Sequence, residues 1–248
     1  MESFIGCSGY YYNHWKNLFY PEELPKNKWL IFYSEHFNTV EINNTFYRMP
    51  SESAVKNWHS ITPGDFVFSV KGYRYFTHLR KLIIDDAFMD YLAKFMHLVA
   101  LLKEKTGPLL WQFPGSFRAD VVRFESFCRI LSSGFVHVFE FRHESWFNEE
   151  IFGILEKYRH SLCIISGPRN IPVVVKTTSP TAYIRFHGEG SWYSDNYSND
   201  ALDAWKNKLS ILRADRLFAY FNNDVNGYAV NNAEYLKSLY AKEPSLLK

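Results

Sequence analysis

The chain has 248 residues, of which 47% are hydrophobic and 22% charged, a composition typical of a globular protein and a length at which an α/β barrel still forms one domain. Its formal net charge of +2 gives no electrostatic basis for strong, unspecific binding to nucleic acid, which ordinarily needs a clearly basic domain. Cys7, Cys128 and Cys163 lack the spacing of a disulfide framework or a zinc ribbon, so we expect reduced thiols in a cytoplasmic protein.

No part of the sequence has the pattern of a signal peptide or a membrane anchor. The first residues, MESFIGCSG, include an acidic second residue and no long apolar run. The most apolar helical candidate, residues 87–103, is interrupted by Asp90, Lys94 and His97 at amphipathic spacing. We therefore predict that this helix faces the core and that the protein has no membrane partner.

Eight short apolar runs predict β-strands, and segments with helical spacing lie between most of them. In chain order the predicted strands are SFIGCS (3–8), TVEIN (39–43), FVFSVK (66–71), PLLWQF (108–113), HVFEFR (137–142), LCIIS (162–166), AYIRFH (182–187) and LFAYFNN (217–223). The predicted helices are 26–36, 52–59, 85–104, 119–132, 147–159, 201–212 and, after the last strand, 231–240.

Strand alternating with helix to a count of eight predicts an α/β fold, a single (β/α)8 TIM-type barrel domain over residues 1–248. One connection does not fit this pattern. Residues 167–180 contain three prolines and no helical spacing, so we expect an irregular connection after strand 6.

Each predicted strand carries a polar residue near its end on one face. Alternate residues of a barrel strand face the interior, and chemistry is found at the C-terminal ends of the strands. A simpler alternative is that strands become polar wherever they leave the core, but polarity here follows facing as well as position. The predicted inward residues are Ser8, Glu41, Asn43, Lys71, Gln112, Glu140, Arg142, Ser166, Arg185, His187 and Asn222. The opposite parity predicts an apolar outer layer of Ile5, Val40, Ile42, Phe68, Val70, Trp111, Phe139, Phe141, Cys163, Ile165, Ile184, Phe186, Ala219 and Phe221.

The carboxylates of this inward ring are Glu41 on strand 2 and Glu140 on strand 5. A pair of carboxylates across a barrel mouth is a known arrangement for acid and base catalysis on glycosidic bonds. The alternative is that Glu140 forms a structural ion pair with a lysine or arginine of the same ring. The sequence leaves both interpretations open.

Three cations of the ring, Lys71, Arg142 and Arg185, predict an anionic ligand, because guanidinium groups suit phosphate and carboxylate. Arg74 and Arg48 in adjoining loops add to this excess of positive charge. The competing explanation is that the cations balance the two carboxylates, which accounts for two of them and leaves a surplus.

His187 is the first choice for a proton carrier, because it ends strand 7 beside the flexible Gly188. The alternative is a structural, hydrogen-bonding histidine, and His78 and His143 in neighbouring loops are weaker candidates. A zinc or multi-metal site would need three or more His, Asp or Glu side chains on neighbouring strands, which the ring does not offer. We therefore predict no metal and no cofactor.

The segment SGYYYNHW, residues 8–15, follows strand 1 and is rich in aromatic residues. Tyr10 and Trp15 are predicted to stack on the face of a sugar or a base, although a hydrophobic lid is an equally good interpretation. Asn43, Gln112 and Asn222 are predicted to hold hydroxyl groups or base edges of the same ligand.

Several of these motifs, taken in order, resemble the YecE-like family, domain of unknown function 72. The resemblance spans nearly the whole chain and implies a TIM-type barrel with a polar pocket at the strand ends and no assigned reaction. It also implies a likeness in fold to DNA-repair barrels of the endonuclease IV type, whose set of metal-binding histidines and carboxylates this sequence lacks. Family members often carry an aspartate where this chain has Ser166, and sometimes a histidine at the position of Asp224. The motifs are SGYYYNHW, FNTVEINNTFYRMP, FVFSVKGYRYFTH, GPLLWQFPGSF, EFRHESWF, IRFHG and YFNNDVNGYAVNNA.

The leading hypothesis is a metal-independent acid/base enzyme, hydrolase-like, that acts on a phosphorylated or polyhydroxyl ligand at the barrel mouth. The two carboxylates would exchange protons with help from His187, the three cations would hold the anion, and the amides would fix hydroxyl groups. One alternative is a nucleic-acid-binding module that uses the aromatic segment and the loop arginines. Another is a non-catalytic scaffold whose mouth is filled by its own ion pairs.

Overall fold

The computed structural model describes residues 1–168 and 171–241 of the chain. Residues 169–170, within the predicted irregular connection, and residues 242–248, at the end of the predicted domain, lie outside the described residues. None of the helices in the described part combines the length and the apolar character needed to cross a membrane.

Eight parallel strands within the described residues form a nearly closed barrel, as the sequence predicts. Their hydrogen-bonded order is β1-β8-β7-β6-β5-β4-β3-β2. The described residues between β6 and β7 contain no helix, in agreement with the predicted irregular connection. The strands are β1 (Glu2–Cys7), β2 (Thr39–Ile42), β3 (Val67–Lys71), β4 (Thr106–Gln112), β5 (His137–Glu140), β6 (Ser161–Ser166), β7 (Thr181–Phe186) and β8 (Arg216–Phe221).

Helices alternate with the strands, and several begin with a side chain that accepts a backbone N–H of the first turn. These N-caps are Ser51, Asp85, Asp120, Asn148 and Ser198, before α3 to α7 in that order. The α-helices are α1 (Trp29–His36), α2 (Asn44–Tyr47), α3 (Glu52–Ile61), α4 (Asp86–Ala100), α5 (Val121–Ile130), α6 (Glu149–Lys157), α7 (Asn199–Ser210) and α8 (Tyr228–Ala241), and a π-helical turn (Tyr75–Leu79) follows β3.

The core has two apolar layers, one inside the barrel and one between the strands and the helices. The predicted outward residues pack in the outer layer for every strand except β6. Burial in both layers explains why the middle of each strand is apolar and why polar side chains collect at the strand ends. The inner layer includes Phe4, Leu110, Val138, Cys163, Ile165, Tyr183, Phe218 and Tyr220.

For strand β6 the predicted facing is wrong. Cys163 and Ile165 face the barrel interior, whereas Ser166 faces outward and hydrogen-bonds the hydroxyl of Tyr197 at 2.8 Å. Both faces of this strand are buried in apolar surroundings, so a period of two in the sequence does not tell them apart. Ser166 is therefore not part of the inward ring.

The seam between β1 and β2 is closed by a side chain and a short bridge. The Tyr33 hydroxyl accepts the Cys7 N–H at 2.8 Å and donates to the carbonyl oxygen of Thr39 at 3.0 Å. A Cβ atom at Gly6 would lie 2.3 Å from that same carbonyl oxygen, so the seam has no room for a side chain there. At the end of the seam, Ser8 bridges to Glu41, which brings the first two strand ends into the site.

Candidate active site

Arg185 of β7 lies at the centre of the barrel mouth and joins the two predicted carboxylates. Its Nη1 donates to Oε2 of Glu140 at 2.5 Å, and its Nη2 donates to Oε1 of Glu41 at 2.7 Å. The Arg185 side chain is 1% exposed, and both glutamates have no exposed surface. The two predicted inward carboxylates thus meet at one buried guanidinium.

Glu41 is fully engaged by donors from several strands. Its Oε1 also accepts hydrogen bonds from the Ser8 hydroxyl and, at 3.2 Å, from Nδ2 of Asn43. Its Oε2 accepts the Tyr183 hydroxyl at 2.6 Å. A carboxylate with this many donors is a fixed anion, which is the usual way for a buried charge to be satisfied.

Glu140 is held ionised by two arginines. Its Oε1 accepts the Nε–H of Arg142, in addition to the contact with Arg185. Burial opposes the charge on Glu140, but Arg142 and then Arg185 outweigh it and hold the pKa of this carboxyl well below its usual range. A carboxyl group in this state carries no proton to donate near neutral pH.

His187 contacts Arg142 at the end of β7. Nη2 of Arg142 lies 2.9 Å from Nε2 of His187, and the Asn222 amide lies 3.2 Å from Nδ1. Burial, together with Arg185 and Arg142, lowers the pKa of His187 well below its usual range. Because Arg142 can only donate, Nε2 of His187 is the acceptor in this contact. The Nε2 lone pair of His187 is therefore already occupied by Arg142.

Lys71 is the one cation of the ring whose charged group has no acceptor among the described residues. It ends β3, is 9% exposed, and its Nζ lies 4.2 Å from the ring centroid of Phe46. Burial, with Arg185 as the next cause, lowers the pKa of the Lys71 ammonium to about 7. Lys71 therefore exchanges its proton in the neutral pH range.

The charges of the mouth balance without Lys71. Arg142 and Arg185 contribute two positive charges, and Glu41 and Glu140 contribute two negative ones. A protonated Lys71 is then a surplus charge in a buried site, where an added anion would be attracted.

Three amides lie around this charged centre. The Oδ1 atom of Asn43 is buried and has no hydrogen-bond partner in the described part of the chain. Gln112 is half-buried and lies beside Glu140 in the β4–β5 register, and Asn222 is half-buried beside His187. These side chains can both donate to and accept from hydroxyl groups of a ligand.

A cavity of about 540 Å³ opens next to the mouth, between the segment after β1 and the turn after β2. Tyr10, Tyr11, Tyr47 and Trp58 line it, and Asn43 lies at its edge. The stacking of Tyr10 on a ligand stays a prediction. A cavity of this size and aromatic character is typical of small-molecule sites.

The predicted stacking role of Trp15 is wrong. Its side chain has no exposed surface, and its indole N–H donates to Oδ1 of Asp224 at 2.6 Å. His14 contacts the other oxygen of Asp224 at 2.8 Å. Trp15 thus anchors the segment after β1 onto the segment after β8, and its ring faces are covered by other aromatic residues.

Three aromatic residues of the site are missing from the prediction. Tyr183 binds Glu41, Phe46 covers the Lys71 ammonium, and Trp192 lies 4.4 Å from the guanidinium carbon of Arg142. Tyr183 could have been found, because it lies two residues before Arg185 on the same face of β7. Phe46 and Trp192 lie outside the strands, where periodicity gives no indication of facing.

The weaker histidine candidates lie at the edge of the site. His78 contacts the edge of the Phe46 ring, with centroids 4.8 Å apart, and burial together with Lys71 lowers its pKa to about 4. Nδ1 of His143 accepts the Ser145 N–H at 3.1 Å, which caps a short turn. Within residues 1–168 and 171–241, no group of three or more His, Cys, Asp or Glu side chains is arranged to hold a metal ion.

Comparison with known proteins agrees with the fold and the motifs. A family model described as "Protein of unknown function DUF72" matches residues 4–247. The UPF0759 protein YunF of Bacillus subtilis (strain 168) is 28% identical over 256 residues, an alignment that covers 89% of this chain and 89% of YunF.

Solved structures share the barrel. A crystal structure of a DUF72 family protein from Thermotoga maritima MSB8 matches with a TM-score of 0.85 and 28% identity, over 98% of this chain and 100% of that chain. D-psicose 3-epimerase, solved in the presence of D-fructose, matches with a TM-score of 0.55 and 8% identity, over 96% of this chain and 98% of that chain, which is a likeness in fold alone. The predicted relationship is confirmed: the chain belongs to the DUF72 family.

Proposed function

We propose that the barrel mouth is the active site of an acid/base enzyme that acts on a small ligand carrying an anionic group and hydroxyl groups. The observation that carries this proposal is Lys71, an amine at a strand end that titrates near neutral pH and has no acceptor among the described residues. Groups with strongly shifted pKa values in a cleft are typical of catalytic sites, and a general base works best when its pKa is near the working pH.

In this proposal Lys71 carries out the proton transfer that the sequence predicts for the two carboxylates. Arg185 lies between Glu41 and Glu140 and donates to both, so a scissile bond has no space between them. The carboxylates act as fixed anions that orient the arginines, and His187 orients Arg142. A hydrolytic, glycosidase-like use of the carboxylate pair is therefore not part of the proposal.

The ligand class follows from what surrounds Lys71. Arg142 and Lys71 offer positive charge to a phosphate or carboxylate, and Asn43, Gln112 and Asn222 offer amides to hydroxyl groups. The aromatic cavity beside Asn43 gives space for a sugar ring or another flat group. Nucleic-acid binding remains a prediction, and Lys71, Arg142 and Arg185 are too buried to follow a phosphate backbone along the surface.

Proton-linked binding tests the proposal. An anion next to Lys71 raises its pKa, so binding of a sugar phosphate at pH 7 should take up about half a proton per chain, since Lys71 is then about half neutral. Calorimetry of D-ribose 5-phosphate in buffers of different ionisation enthalpy measures this uptake. Lys71→Met should abolish it, and Lys28→Met, which changes an exposed lysine, should keep it. Uptake that survives in Lys71→Met would contradict the role of Lys71, and the absence of binding by any phosphorylated sugar would contradict the ligand class.

A further inference from the structure

We propose that Lys71 is a nucleophile that forms an imine with the carbonyl carbon of a small hydroxyaldehyde or hydroxyketone phosphate. This inference rests on the proposed function, because it uses the same site and the same anionic ligand class. It adds a covalent step and narrows the substrate to a carbonyl compound.

Two buried lysines of the chain show why Lys71 is suited to this role. Lys105 is 4% exposed, and its Nζ donates to the carbonyl oxygens of His59 at 2.6 Å and Thr62 at 2.7 Å. Its ammonium is satisfied, as expected for a structural lysine. Lys71 is 9% exposed, yet its Nζ lies over the Phe46 ring and makes no hydrogen bond to an oxygen acceptor among the described residues, although Glu140 and Glu41 are near enough to raise its pKa. An amine placed in this way is poorly stabilised as an ammonium and is available as a free base.

Hydrogen bonds and packing hold the backbone at Lys71, whereas its amine makes no hydrogen bond among the described residues. The Thr45 hydroxyl donates to the Lys71 carbonyl oxygen at 2.7 Å, and the N–H of Gly72 donates to the carbonyl oxygen of Leu110 at 2.8 Å. A Cβ atom at Gly72 would lie 2.5 Å from the ring of Trp111, so the chain packs tightly directly after the lysine. Rigid support of the backbone beneath the reactive side chain is what a nucleophile at a strand end requires.

The charge state of the amine agrees with this geometry. A Lys71 pKa of about 7 leaves a large neutral fraction at physiological pH, whereas a lysine with an ordinary pKa is almost entirely protonated. The same two neighbours that raise this pKa, Glu140 and Glu41, would also stabilise the positive charge of a protonated imine.

The step balances without an oxidant or a reductant. The lone pair of the neutral Lys71 amine attacks the carbonyl carbon, a C–N bond forms, and the carbonyl π electrons move to oxygen. A proton passes from nitrogen to that oxygen to give a carbinolamine. The hydroxyl group then leaves with the second N–H proton as water, and the nitrogen lone pair forms the C=N bond. The carbon next to a protonated imine is acidic, so the proposed acid/base chemistry would follow at that carbon.

Reductive trapping tests the inference. The protein is incubated with dihydroxyacetone phosphate and sodium cyanoborohydride at pH 7.5, and the modified lysines are identified by peptide mass spectrometry. We expect the secondary amine at Lys71 to form at least about tenfold faster than at any exposed lysine, because those amines are mostly protonated at this pH. Inorganic phosphate should slow trapping at Lys71 and leave the exposed lysines unaffected.

Lys71→Arg is the matched variant, because a guanidinium keeps the charge and forms no stable imine with this reagent. It should lose the adduct while the exposed lysines react as before. Modification that follows exposure alone, with no preference for Lys71, would overturn the imine. If Lys71→Arg does not fold, phosphate competition on the unaltered chain replaces it. Trapping at Lys71 that inorganic phosphate does not slow would then overturn the imine.

A separate measurement distinguishes failure of the imine proposal from failure of the proposed function. Calorimetry with dihydroxyacetone phosphate, without the reductant, reports binding alone. Proton-linked binding with no adduct at Lys71 would overturn the imine and leave the acid/base proposal standing. If neither this compound nor D-ribose 5-phosphate binds, both proposals fail together.

Discussion

Arg185 Nη1 lies 2.5 Å from Oε2 of Glu140 at the centre of the barrel, and neither side chain has appreciable contact with solvent. Such a pair adds little net stability compared with apolar residues of the same volume, since both ions lose their hydration. Removing one member is different, because the other charge then remains buried without compensation. Loss of either member of the pair should therefore destabilise the fold strongly, although the intact pair contributes little net stability.

Glu140→Gln should lower the free energy of unfolding by about 3 to 5 kcal/mol, because Arg185 and Arg142 lose a shared carboxylate in a buried site. Chemical denaturation at pH 7 measures the change. Glu52→Gln is the control, since Glu52 pairs with Lys56 on the surface at 2.9 Å and its loss should leave stability nearly unchanged. If the two substitutions changed the free energy of unfolding equally, the Glu140 carboxylate would not be compensating the buried charge of Arg185 and Arg142.

Stability should depend on pH through Lys71. Its pKa is about 7 in the folded state and near 10.5 in the unfolded chain, so between these values the unfolded state binds more protons. The penalty of burying the ammonium is complete below about pH 7 and is relieved as the pH rises. Relative to Lys71→Met, the original chain should therefore gain about 0.7 kcal/mol per pH unit at pH 7, where Lys71 is half protonated in the folded state, and about 1.3 kcal/mol per pH unit between pH 8 and pH 9. A constant difference between the two chains across this range would contradict the shifted pKa.

The sequence predicts the ring of strand-end residues better than it predicts their contacts. A period of two identifies inward side chains wherever one face of the strand is polar, as for Glu41, Glu140 and Arg185. It fails at Ser166 because residues 162–165 of β6 are apolar on both faces. Arg185 binds both carboxylates and leaves Lys71 without an acceptor among the described residues. These contacts depend on distances across the barrel, which a local sequence pattern does not contain.

The misplacement of Trp15 has a similar cause. Aromatic residues after a strand are compatible with a stacking platform or with a buried anchor, and the sequence around them does not decide between the two. The rings of Tyr12 and Tyr20 cover Trp15, and its indole N–H donates to Asp224, more than two hundred residues further along the chain. Contacts of this kind follow from closure of the barrel, which joins β1 to β8.

Trp192→Leu should weaken binding of sugar phosphates by about two- to thirtyfold, because the indole covers the Arg142 guanidinium at 4.4 Å and a cation–π contact of this type contributes about 0.5 to 2 kcal/mol. Calorimetry with D-ribose 5-phosphate measures the affinity. Tyr91→Leu, an exposed aromatic change on α4, should bind like the original chain. If Trp192→Leu binds as tightly as Tyr91→Leu, Arg142 does not take part in holding the ligand.

Gly6→Ala should destabilise the barrel seam severely, since the new Cβ atom would lie 2.3 Å from the carbonyl oxygen of Thr39 and 2.7 Å from the Tyr33 hydroxyl. Neither group can retreat easily, because Tyr33 bonds both edges of the seam, and we expect a loss of more than about 2 kcal/mol. Gly153→Ala is the matched control: it lies in α6 with nothing within 4 Å of the added carbon, so helix propensity should stabilise it by up to about 1 kcal/mol. Thermal and urea denaturation of the two variants should therefore move in opposite directions. A Gly6→Ala chain as stable as the original would mean that the seam can open by about an ångström without loss, and Tyr33 would then not be the element that closes it.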